Sequence, residues 1–291
     1  MLLYWSWRVA VFLRRLFPTE LCYLVSSLAG EIIWRFFMPA EQKSATKRNL
    51  ARVTGLAGAR LESLGRKNYR SYARLWADFV RFPTLTPAQI RDKVVSDKWN
   101  YVEDILGRGK GLIFVTLHMG NWDMAGGGCA RRGYPFHVIA ERFENRWLDR
   151  LVVETRDALG VRVVFEDRPL EAFRVLRRNE VLALLIDIPT PDGVAVSFFG
   201  ETAFLPAGPA RLALRSGAGI INIGFYKRRG RGDTIYCHVA PPVYPIRSGD
   251  EEADVRALTQ RMADNFEPMI RANPEQWYVF RDLWPGPEPR A

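Results

Sequence analysis

Hydrophobic and polar positions fall into two textures along the chain. Up to about residue 83 the apolar residues recur at helical spacing between prolines. From about residue 94 short uncharged runs alternate with helical stretches. In the first part, Pro18 divides two apolar helices, 1–17 and 19–37, and Pro39 ends the second. A basic helix follows over 42–53, broken by Gly55 and Gly58. A longer helix spans 61–81 and stops at Pro83, with Tyr69, Ala73, Trp76 and Val80 on one face.

In the second part, Gly-Leu-Ile-Phe-Val-Thr-Leu at 111–117 carries no charge and reads as a buried strand. Further strands are expected at 136–140, 161–165, 181–186 and 220–226, with helices over 121–132, 145–159, 169–178 and 209–215. Residues 228–233 read as a hairpin turn into a return strand, 234–240. A last helix opens near Asp250 and turns Leu258, Met262, Phe266 and Met269 inward. This alternation predicts an α/β fold: a mostly parallel central sheet flanked by helices. Residues 1–83 form an N-terminal helical region expected to associate with membrane, and residues 84–291 the α/β core.

A hydrophobic share of 48% with 25% charged residues supports a packed core and excludes disorder. The net charge of +10 calls for an anionic partner, either nucleic acid or an anionic membrane surface. The arginines are not interleaved with aromatics in any RNA- or DNA-binding motif, so no nucleic acid is expected. Residues 1–38 mix Trp, Phe and Tyr with Arg8, Arg14 and Arg15. They contain no uncharged apolar run of about 18 residues, so no clean transmembrane helix is expected. They read as interfacial helices with snorkelling arginines, against the plainer reading that they pack on the core. Cys22, Cys129 and Cys237 give neither a disulfide framework nor a zinc signature, and no metal or cofactor is expected.

Of the three histidines, His137 and His238 lie inside strand patterns without a nearby acidic residue and read as structural. His118 stands where the strand 111–117 ends and a Gly-Asn turn opens a helix, and strand ends of this kind bind ligands in open α/β sheets. Asp123 follows about one turn into that helix. Its carboxylate can fold back on the imidazole, fix the tautomer and leave the other nitrogen to take a proton from an alcohol. Gly120 would let the backbone approach a ligand, and the helix start could hold an anion. The plain reading is a histidine capping a helix, and the spacing alone favours that. GxSxG, P-loop, complete GxGxxG and HExxH motifs are all absent.

His-Met-Gly-Asn-Trp-Asp at 118–123 resembles the signature of the late acyltransferases of lipid A biosynthesis. Mycobacterial phosphatidylinositol mannoside acyltransferases belong to the same superfamily. Matching blocks follow in order: Glu141-Arg142, Arg156, Phe198-Phe199-Gly200-Glu201, Leu205 to Ala210, and Pro-Glu-Gln-Trp at 274–277. The resemblance implies transfer of an acyl chain from a thioester, acyl-CoA or acyl carrier protein, to a hydroxyl of a membrane glycolipid. It implies catalytic roles for His118, Asp123 and Glu201, donor or substrate contacts from Glu141, Arg142, Arg156, Pro206 and Ala207, and a peripheral place on the cytoplasmic face of the inner membrane. Asp at 123, where the lipid A enzymes usually carry Glu, and Glu201 after Phe-Phe-Gly look closer to the mannoside enzymes. The rival reading is a catalytically inactive protein of the same fold that binds membrane and acyl-CoA. Arg142, Arg146 and Arg150 line one helix face, either as solvated ion pairs or as contacts for CoA or headgroup phosphates. Arg228, Arg229 and Arg231 could also meet phosphates. Asp187, at the end of a strand, takes no role on this reading.

Overall fold

The computed structural model describes residues 2–190, 193–228 and 232–284. Seven strands form the central sheet: β1 (Val94–Val95), β2 (Leu112–Thr116), β3 (Phe136–Ala140), β4 (Arg162–Phe165), β5 (Val181–Leu185), β8 (Gly219–Lys227) and β9 (Ile235–Val239). Their order is β1-β9-β8-β2-β5-β3-β4, and only the β8–β9 pair is antiparallel. A separate hairpin joins β6 (Val194–Phe198) to β7 (Glu201–Leu205).

The uncharged strand β2 lies between β8 and β5, which explains why all of its residues are buried. Its side chains alternate between two cores. Ile113 and Val115 pack with α9 (Pro169–Arg177), α10 (Gly208–Ser216) and α11 (Glu251–Ala272). Leu112 and Phe114 pack with α5 (Pro87–Asp92), α6 (Trp99–Leu106), α7 (Trp122–Ala130) and α8 (Arg146–Leu159). Asp250 caps α11 by accepting from the Ala253 N–H, and the four expected inward residues of that helix are buried.

The N-terminal layer consists of α1 (Leu2–Arg14), α2 (Thr19–Ile32) with a π turn (Ile33–Phe37), α3 (Ala40–Thr54) and α4 (Gly58–Arg81). One side of it packs inward, with Trp7 on Phe79 and Tyr4 on Trp147. The other side leaves Phe12, Leu16, Leu24, Leu28, Phe36 and Phe37 exposed. Among the described residues no single helix is long and apolar enough to cross a membrane. The segment Thr19–Phe37 passes that measure only together with Ala40–Thr54, across a bend of 112°.

One expectation changes. The face of α4 expected inward is only half-buried, and Trp76 is exposed. The buried positions are Leu64, Gly65, Asn68, Leu75, Asp78 and Phe79, two of them polar and hydrogen-bonded, which an apolar period does not register. The Phe-Phe-Gly block also forms a hairpin turn. Phe199 (φ 53°) and Gly200 (φ 79°) are its central residues, and Phe198 pairs with Glu201. A phenylalanine at positive φ is uncommon. It is held by packing on Phe198 and Trp284.

Candidate active site

Residues 118–123 leave the carboxyl end of β2 and turn into α7. Gly120 has φ 63°, and a Cβ there would come within 2.2 Å of the Phe225 carbonyl oxygen. Glycine is therefore required twice, by conformation and by space. The close approach is to the protein's own β8 backbone rather than to a ligand, which corrects the expectation. Two N–H groups at the turn are likewise taken: Gly120 N–H donates to the Gln276 carbonyl (2.8 Å) and Met124 N–H to Asn121 Oδ1 (3.0 Å).

The expected bond from Asp123 to His118 does not form. The carboxylate on the imidazole is Asp187, whose Oδ1 lies 2.8 Å from His118 Nδ1. Asp187 Oδ2 accepts from the His118 backbone N–H (2.8 Å) and from Trp277 Nε1–H (2.9 Å). These donors offset the cost of burying the carboxylate, whose side chain is fully buried. A carboxylate only accepts, so Nδ1 carries the proton and Nε2 keeps its lone pair in the neutral ring. Nε2 has no hydrogen-bond partner among the described residues, and the side chain is 27% exposed.

Trp277 belongs to the closing segment 274–277, which lies along the histidine turn. Met119 bridges Trp277, the Tyr278 N–H donates to the His118 carbonyl, and the Gln276 side chain bonds both backbone groups of Lys227. This contact joins parts of the chain far apart in sequence and gives the closing segment a physical role: it clamps the turn and, through Trp277, holds Asp187.

Asp123 is instead paired with Arg156 of α8, Nε to Oδ1 at 2.7 Å, with both side chains largely buried. Glu201 sits at the β6–β7 turn with an exposed side chain on Arg52 of α3, at 2.8 Å. Among the described residues it makes no hydrogen bond to His118, Asp123 or Asp187. Glu141 is exposed beyond β3 and, with Asp167 and burial, helps hold the Glu166 carboxyl above its usual range; burial is the largest cause. Arg142 stacks on Phe165 and lies 3.6 Å from Asp167, and Arg150 pairs with Glu154 at 2.6 Å. Both thus stand beside carboxylates. Pro206 precedes α10, and Ala207 is buried in the core on the α9–α11 side. Arg229 and Arg231 lie outside the described residues. His137 has Glu180 at 2.8 Å, and His238 stacks on Tyr226 with Asn273 at 3.0 Å, so both partners come from distant segments.

Cavities lie on both sides of the 118–123 turn. On one side, Trp122, Asp123, Ala125, Gly126 and Cys129 face Phe114, Phe136, Ala183 and Phe225 across a narrow apolar slot. Its open space is about 30 Å³, room for a water or two. Burial pushes the Cys129 thiol up to about 12, which leaves it unreactive. Thr116, also lining the slot, has a buried hydroxyl without a partner. On the other side, Gly120 and Asn121 border a cavity of about 690 Å³ whose walls carry Lys67, Arg70, Arg74, Asp78, Lys227 and Arg228. Asp78 accepts from Asn121 Nδ2 (2.9 Å) and holds Lys227 and Tyr23, tying α4 and α2 to the turn.

The chain matches the family described as bacterial lipid A biosynthesis acyltransferase over residues 1–285. A phosphatidylinositol mannoside acyltransferase of Mycobacterium tuberculosis (strain ATCC 25618 / H37Rv) is 32% identical over 261 residues, 86% of this chain and 79% of the relative. The enzyme of the same description from Mycolicibacterium smegmatis is 33% identical over 246 residues, 82% of this chain and 78% of the relative.

Proposed function

The chain belongs to the bacterial lipid A biosynthesis acyltransferase family, and from that premise we propose that it moves a fatty acyl chain from a thioester, acyl-CoA or acyl carrier protein, to a hydroxyl of a membrane glycolipid. The observation that carries this reading is the His118 ring, with Nδ1 held by Asp187 and Nε2 without a partner, on a turn between an apolar slot and a polar cavity. Nε2 takes the acceptor's hydroxyl proton as its oxygen attacks the thioester carbonyl. Collapse of the tetrahedral intermediate breaks the C–S bond, and the leaving thiolate receives the proton from the imidazolium. The products are an ester and a free thiol, with no acyl-enzyme. The buried Asp187 stabilises the charged ring, and the Asp123–Arg156 pair fixes the start of α7.

The mycobacterial relatives are named for phosphatidylinositol mannosides, and that favours an acceptor of this class over a lipid A precursor. The exposed apolar side of α1 and α2 suits an interface with lipid, and the positive charge suits the anionic cytoplasmic leaflet. Purified protein given acyl-CoA and a mycobacterial lipid extract should release free thiol, and His118→Ala should lower the rate by about a hundredfold or more while keeping the melting temperature. Near-full activity of His118→Ala would overturn the base assignment. No thiol release by the wild type would favour the inactive binder. Flotation with anionic vesicles, set against a DNA mobility shift, tests the membrane assignment.

A further inference from the structure

The walls of the larger cavity raise a question of charge. Lys67, Arg70 and Arg74 succeed one another on α4 at spacings of three and four, so they share one face over about 10 Å. Arg228, just past the end of β8, lines the same cavity, with its guanidinium over the Tyr236 ring. None of these four makes an ion pair among the described residues. The two carboxylates of the lining do not offset them: Asp78 is engaged by Lys227, and Glu275 is a single charge. On α8, by contrast, Arg150 lies on Glu154 one turn away. The carboxylates of α4 itself are spent elsewhere, Glu62 on Lys43 and Lys47 and Asp78 on Lys227.

Like charges gathered around a concave space are stabilised by an anion within it, and guanidinium groups match phosphate oxygens bidentately. We propose that this cavity is a phosphate site: Arg70, Arg74 and Lys67, with Arg228, hold a phosphate ester of a substrate while its reacting end reaches His118 past Gly120 and Asn121. The inference rests on the acyl-transfer reading for the identity of the ligand, but its binding test does not require turnover. Two substrates of that reaction carry phosphate: the glycolipid acceptor, through its headgroup phosphodiester, and CoA. Asp78 gives the site a link to the chemistry, because it bonds Asn121 of the turn and Lys227 of the cavity wall together.

Equilibrium titration of the full chain with CoA, and separately with glycerophosphoinositol, at one fixed ionic strength tests the site. In Arg70→Gln/Arg74→Gln the affinity for one of the two ligands should fall by about a hundredfold, or tenfold per arginine. Arg70→Lys/Arg74→Lys should recover part of the loss. Loss confined to CoA assigns the cavity to the donor, and loss confined to glycerophosphoinositol assigns it to the acceptor. Unchanged affinity for both, or no binding of either by the wild type, overturns the proposal. Should the double variant melt early, Lys67→Gln carries the same test with a smaller expected loss. His118→Ala should bind both ligands as the wild type does. Absent thiol release with intact, arginine-dependent binding would therefore sink the reaction and leave the phosphate site standing.

Discussion

The slot under α7 and the cavity beside α4 meet the same six-residue turn, yet they differ in almost every physical respect. The slot is narrow and walled mainly by aromatic and small apolar side chains, with about 30 Å³ of free space. The cavity holds about 690 Å³, and its lining carries more cations than carboxylates. The contrast arises from which elements face each other. Uncharged residues of β2, β3, β5 and β8 line the slot, whereas the cavity lies between the charged face of α4 and the end of the β8–β9 pair. The proposed reaction joins a fatty chain to a polar headgroup, and such a division suits it.

The largest expected effect is on the turn itself. Asp187→Asn keeps an acceptor for Nδ1 but removes the charge opposite the imidazolium, so kcat should fall by about 100- to 10,000-fold and its pH profile should change. Asp123→Asn should act mainly on folding, because breaking a buried ion pair costs about 3–5 kcal/mol, read as a lower urea midpoint. The assignment of the two aspartates reverses if Asp123→Asn moves the pH profile at unchanged stability and Asp187→Asn does not. Cys129→Phe tests the apolar side. It places a ring about 10 Å along α7 from Trp122, and should reduce transfer of long chains relative to short ones by about tenfold in competition assays. An unchanged chain profile would show that the chain lies elsewhere. The smallest effect is expected at Thr116→Val. Removing a buried hydroxyl without a partner should raise stability by about 1 kcal/mol in urea unfolding, and a loss of that size would mean that the hydroxyl is satisfied.

Much of the fold was legible because its signals are local. The strand at 136–140 forms at those residues, Pro18 and Pro39 separate helices, and Asp250 caps α11. The stretch 87–106 carried weaker signals and holds α5, β1 and α6, which no periodic pattern announced. The site was half legible. His118 at a strand end stood out, but its partner did not, since Asp187 lies 69 positions away. Once β5 is known to lie beside β2, the register supplies the answer: Thr116 faces Leu185, so the residues two further on, His118 and Asp187, stand side by side. Sequence order does not reveal that neighbour, because β3 and β4 come before β5 in the chain and lie beyond it in the sheet.

By itself the sequence determined the α/β alternation, the aromatic N-terminal helices, the histidine turn and the family resemblance, all properties of composition and short spacing. Only the tertiary structure decided which carboxylate orients His118, that Asp123 belongs to Arg156, that Glu201 rests on Arg52, and that the closing tryptophan reaches back to Asp187. The reason is physical. A hydrogen bond or ion pair depends on positions within about 3 Å, and strand order and helix docking set those positions for residues far apart in the chain.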